Sequence, residues 1–160
     1  MRQDVGGGSG GDIHFPRAAL WLGAAGVIPF AAGALQLLAG WPLSARMNGP
    51  TLFALQIYGA VIVSFVGGIH WGIAALRDRA DVWSHYAASV LPSLGAWFAV
   101  FALTPAHSLF ALAAVIGLFH LYERFVLAAD VLPAWLLRLR LGLTLAVAVL
   151  LALAGLAVPA

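Results

Sequence analysis

The chain has 160 residues, 63% of them hydrophobic and 9% charged, with a mean hydropathy of +1.00. Soluble domains carry about 25% charged residues, so this composition excludes an ordinary water-soluble fold, a disordered chain and a charged coiled coil. The net charge of +2 comes from scattered arginines that form no basic patch, which argues against a nucleic-acid partner, and the lack of cysteine excludes disulfides, thiolate metal sites, iron–sulfur clusters and cysteine nucleophiles.

Residues 1–16 read as a flexible, Gly-rich tail; the first twelve hold one Arg and two Asp, without the basic start of a secretory signal. A hydrocarbon core about 30 Å thick takes about 20 helical residues. Five windows meet that length, at about 18–40, 51–76, 86–104, 108–129 and 136–158. The expected fold is therefore all-α and integral to a membrane, a five-transmembrane-helix bundle occupying residues 17–160. Pro42, Pro50, Pro105 and Pro133 fall between the windows, where helices should stop. Short connections make consecutive helices antiparallel neighbours. Pro29 and Pro92 fall inside windows and are expected to kink their helices, freeing the carbonyls of Ala25 and Ala88.

Arginine placement sets the expected orientation. With five spans, Arg2, Arg17, Arg77, Arg79, Arg124, Arg138 and Arg140 share one side and Arg46 stands alone on the other. By the positive-inside rule the N-terminus is cytoplasmic and the C-terminus outside. A four-span chain would split the arginine pairs between the two sides, so the charges independently favour five. Trp21, Trp83 and Trp135 near the inner ends, and Trp41 near the outer, suit interfacial anchors.

In the second span Ser64, Gly68 and Gly72 recur every four residues and form a small-residue ridge. In lipid such ridges let backbones approach closely, so this one is expected to pack against another helix of the bundle, or against a second copy. His70, two turns before Arg77, lies about 10 Å inside the boundary at 1.5 Å per residue. His120 lies near the middle of the fourth span. Each reads as a neutral imidazole hydrogen-bonded across helices, or as a ligand to haem or metal; different depths disfavour a bis-histidine haem. His85, at an interface, and His107, in a loop, read as ordinary residues.

Glu123 and Arg124 are adjacent charges about 100° apart on a helix, so one is expected to turn inward while the other snorkels to the headgroups. Glu123 follows His120 by one turn and shares the depth of His70, which permits a Glu–His–His cluster, either a structural polar knot or a functional site. In the fourth–fifth connection, Asp130 precedes Pro133 and is expected to cap the next helix or pair with Arg138 or Arg140. An anionic headgroup or quinone site is the alternative there. No nucleotide loop, zinc pair or nucleophile elbow occurs.

Three segments carry a resemblance: Gly26-Val-Ile-Pro-Phe30, Tyr58 through Gly67-Gly-Ile-His-Trp-Gly72, and Asp130 through Leu132-Pro-Ala-Trp135 to Arg138-Leu-Arg-Leu-Gly-Leu-Thr144. From about residue 16 onward the chain resembles the domain-of-unknown-function family of small multi-pass membrane proteins that includes transmembrane protein 69. The resemblance implies a bacterial cytoplasmic or mitochondrial inner membrane and no established activity. The acidic tail lacks the character of a transit segment, which points to the bacterial case. On the match, Tyr58, His70, Trp71, Asp130, Pro133, Trp135, Arg138 and Arg140 are the residues to test.

The leading expectation is a non-enzymatic membrane component that binds lipid, other membrane proteins or itself, and requires no cofactor. One alternative is a redox protein holding haem, a metal or a quinone at His70, His120 and Glu123. Another is a small proton-linked transporter working as an oligomer.

Overall fold

The computed structural model describes residues 16–40, 44–76, 83–127 and 132–158. Its regular elements are helical: α1 (Arg17–Ala25), α2 (Ile28–Ala39), α3 (Asn48–Leu76), α4 (Trp83–Ala102), α5 (Pro105–Tyr122) and α6 (Ala134–Leu156). A short 3₁₀ turn (Ala45–Met47) precedes α3, and a π-helical turn (Glu123–Leu127) continues α5. Taken as spans, Arg17–Ala39, Asn48–Leu76, Trp83–Ala102, Pro105–Phe125 and Ala134–Leu156 are five helices long and apolar enough to cross a membrane. The predicted number is thus found, with boundaries moved by up to four residues from those expected.

Those shifts have local causes. Pro29 occupies the first turn of α2, so the first span is broken at Gly26 and Val27 rather than kinked. A proline is tolerated there because the first amides of a helix have no intrahelical acceptor. The Tyr58 hydroxyl donates to the carbonyl of Gly26 at 3.1 Å, so the polar partner falls one residue beyond the carbonyl expected to be free. Pro50 and Pro105 likewise sit in the first turns of α3 and α5, which therefore begin earlier than predicted. At the end of α2, Gly40 has φ of +65°, a left-handed cap that a β-carbon would strain.

Helix α3 packs against α2, α4 and α5, while α6 packs against α5 and α2, closing the bundle. Helices α3 to α6 each bury one stripe at spacings of three or four residues, or their sum. On α3 the stripe is Gln56, Gly59, Val63, Gly67, His70 and Ala74. On α4 it is His85, Ala88, Pro92, Ala96 and Ala99. On α5 it is Leu109, Leu112, Ile116 and Phe119, prolonged by Glu123. Arg140, Val147, Leu151 and Ala154 complete it on α6. Apolar side chains also cover the outside: Trp21, Phe65, Trp83, Phe101, Phe125 and Leu156 are all exposed. That surface suits lipid, in which helices associate through close packing and polar contacts rather than hydrophobic exclusion.

The ridge of Ser64, Gly68 and Gly72 is not the internal packing face. All three residues are exposed, and nothing stands within 4 Å of a β-carbon built on Gly68 or Gly72. The close approach falls on Gly67, about 100° round the helix from Gly68. A β-carbon on Gly67 would lie 2.8 Å from the Ser89 carbonyl oxygen and 3.5 Å from that of Ala88. Pro92 has no N–H to offer the Ala88 carbonyl, and α3 presses its bare backbone against this part of α4. Gly59 plays the same part against Leu112, with a β-carbon distance of 3.1 Å.

Gly67→Ala is therefore expected to destabilise the bundle by about 1–3 kcal/mol through overpacking, whereas Gly68→Ala should be near neutral. Loss of the monodisperse gel-filtration peak on heating in detergent measures both.

Candidate functional site

Antiparallel hairpins bring the C-terminal ends of α3 and α5 beside the N-terminal ends of α4 and α6. On each of the four helices the buried stripe carries an ionisable residue at that shared end: His70, His85, His120 with Glu123, and Arg140. Glu123 enters the stripe of α5 at the start of the π turn, while Arg124 turns outward and is exposed. A π turn widens the helix and commonly marks a functional position.

Glu123 is the centre of the group. His70 Nε2 and Arg140 Nη1 stand 2.8 and 2.7 Å from its Oε1, and neither His70 nor Glu123 has exposed side-chain surface. His120 Nδ1 lies farther away, 3.8 Å from Oε2. His70 Nδ1 meets His85 Nδ1 at 3.4 Å, the two rings stack with centroids 5.7 Å apart, and Phe119 meets His70 edge-on. A carboxylate only accepts hydrogen bonds. With the carboxylate ionised, His70 carries a proton on Nε2 and donates it to Glu123. A neutral His70 then accepts from His85 at Nδ1, and a protonated one donates to it.

The polar groups are incompletely matched. His120 Nδ1, Glu123 Oε2 and Arg140 Nη2 are buried without a hydrogen-bond partner among the described residues, and the short Arg140 Nη1 contact to Glu123 lacks straight hydrogen-bond geometry. The ion pair is held mainly by charge. Two openings flank it. An apolar cavity of about 410 Å³ between the first, second and last spans includes Arg140 and Thr144 in its wall. A second, of about 670 Å³ between the fourth and last spans, is walled in part by His120, Arg124 and Arg138. Among the described residues no group of three or more His, Asp or Glu side chains is arranged to hold a metal ion.

Of the residues singled out from sequence, His70, His120, Glu123 and Arg140 converge. Tyr58 does not join them: it bonds to Gly26 and packs against Phe30, with ring centroids 4.9 Å apart. Arg138 is exposed on the far side of α6 from Arg140. Asp130, Trp41, Arg77 and Arg79 lie outside the described residues. His85, read from sequence as an ordinary interfacial residue, belongs to the cluster. Its signal was its place one turn before Ala88 and Ser89 on the small-residue stripe of α4.

Comparison with known proteins finds a family model and similar curated proteins. The family model described as "Protein of unknown function (DUF3429)" matches residues 15–156. Transmembrane protein 69 of Xenopus tropicalis is 37% identical over 92 residues, which cover 53% of this chain and 33% of the relative. The matched region thus spans about a third of the length of that relative. No solved structure matches the chain.

Breaking the Glu123–Arg140 pair strands the remaining charge. Glu123→Leu and Arg140→Met are each expected to cost about 3–5 kcal/mol, and the double variant less than the sum, because the double change removes the stranded charge. A double-mutant cycle on unfolding in detergent measures the coupling; strict additivity would show that the two side chains do not act as a pair.

Proposed function

This chain belongs to the DUF3429 family of proteins of unknown function and is a multi-pass membrane protein, and from that premise we propose that it is a non-enzymatic component that binds partner membrane proteins within a larger assembly. The observation that carries this reading is the full burial of Glu123 between His70 and Arg140. The reactive atoms of the cluster face one another across four helices. As a clasp they set the relative rotation of α3, α4, α5 and α6, and the outer surfaces become the working part. Arginine placement supports a cytoplasmic N-terminus.

The interior supports a clasp over a through-route. Between the cluster and the Gln56–Ser108 hydrogen bond nearer the other end lie Val63, Ala96, Leu109, Leu112, Ile116 and Val147, all at most 5% exposed. The 14-residue separation of Gln56 and His70 corresponds to about 21 Å of helix. Closely packed aliphatic side chains over that distance leave a single copy without an internal file of water, so a proton route would run between copies.

Mild detergent extraction from native membranes, followed by affinity isolation, is expected to recover the same membrane partner from the wild type and from any Glu123→Leu/Arg140→Met double variant that remains folded. A strictly monomeric wild type with no reproducible partner would remove this reading.

The contiguous chain from His85 through His70 to Glu123 favours a second reading, proton handling by an oligomer. It requires proteoliposomes of the wild type to dissipate an imposed pH gradient, and folded His70→Gln and His85→Gln variants to lose that leak. Equal leak in wild type and variants would leave the cluster a structural role.

A further inference from the structure

The groove between the π turn at the end of α5 and the first turns of α6 has a makeup that the clasp does not use. One wall is cationic, formed by the exposed guanidinium-bearing side chains of Arg124 and Arg138, and His120 contributes beside them. His120 has a side chain only 8% exposed, and its buried Nδ1 has no hydrogen-bond partner. The remaining wall is apolar and includes Phe125, Leu137 and Leu141. Phe125 is 79% exposed and Leu141 46% exposed, so this apolar side opens outward where acyl chains would lie.

Charge decides what fits. Among the described residues the single carboxylate is Glu123, already engaged by His70 and Arg140, so neither Arg124 nor Arg138 has an acidic partner there. Arg124 closes the fourth span and Arg138 opens the last, which puts both guanidinium groups at one end of the bundle. Guanidinium groups offer paired N–H donors that match phosphate oxygens. Basic pockets between membrane helices at this level hold the headgroups of anionic lipids. A zwitterionic headgroup brings its own cation and leaves the two arginines uncompensated.

We propose that this groove is a binding site for one anionic phospholipid, its phosphate held between Arg124 and Arg138 beside His120, and an acyl chain lying along Phe125 and Leu141. The site is independent of the partner-binding reading, since it needs neither the Glu123–Arg140 pair nor any protein partner, although His120 borders both.

The test is native mass spectrometry of the delipidated full chain in a neutral detergent, with phosphatidylglycerol, phosphatidylcholine or inorganic phosphate added. Wild-type protein is expected to retain phosphatidylglycerol over phosphatidylcholine by roughly tenfold, and inorganic phosphate should not displace it. Arg124→Gln/Arg138→Gln should abolish that preference. Arg124→Lys/Arg138→Lys should keep part of it, and Arg46→Gln, at the opposite end of the bundle, all of it. If the double variant fails to give a monodisperse peak, the single variants carry the test, each lowering the preference about threefold. Three results would overturn the proposal. They are equal retention of the two lipids by wild type, a preference that survives loss of both guanidinium groups, and displacement by inorganic phosphate, which would make the groove a site for free anions.

Discussion

A carboxylate with no exposed surface, inside a bundle whose exterior is itself apolar, persists as an ion only where neighbouring groups compensate its charge. Glu123 meets that requirement by drawing Arg140 from α6 and His70 from α3 onto one oxygen, with His85 of α4 behind His70. Four of the five spans are thereby tied at a single end. Rotating any of them by one residue, about 100°, would turn its polar group away and leave another stranded. The cluster therefore specifies a rotational setting that apolar packing, degenerate among similar aliphatic side chains, constrains far less. This is the use of buried ions best supported in general: registry more than net stability.

The rest of the bundle complements that constraint. Away from the cluster the helices meet over small residues, with Gly67 against the Ser89 carbonyl, Gly59 against Leu112 and Gly33 against Leu55. These contacts bring α3 close to its neighbours on three sides and set the spacing at which His70 reaches Glu123. At the other end the polar contacts are neutral amides and hydroxyls: Gln56 bonds to Ser108, and Gln36 to Asn48. The interior is thus charged at one end and neutral at the other, with aliphatic core between. The clasp and the arginine-lined groove lie back to back on α5 and α6 at the first.

Several features were legible because depth in a membrane helix follows residue number. Counting rises of 1.5 Å put Glu123 at the depth of His70 and one turn from His120, and adjacency required one of Glu123 and Arg124 to turn outward. Choosing between Arg138 and Arg140 was not possible that way, because two residues along a helix change the direction by about 200° and the depth by only about 3 Å. The glycine ridge shows the same ambiguity. Gly67 and Gly68 are neighbours, both belong to small-residue series, and a period of four cannot tell which series faces α4. His85 was passed over because position in the first turn of a helix reads as interfacial, although its stripe runs through Ala88, Pro92, Ala96 and Ala99.

Composition and the spacing of arginines and prolines were thus enough to determine that the chain makes five apolar helices, joined by short connections, with its ionisable residues gathered toward one end. Those properties are additive along the chain, and neighbouring helices do not change them. Tertiary structure alone decided which face of each helix turns inward, and so which arginine meets Glu123, which glycine takes the close contact and which histidine completes the cluster. Azimuth is a relation between helices, set jointly by side-chain volumes and by the need to pair a buried charge, and no single segment contains it.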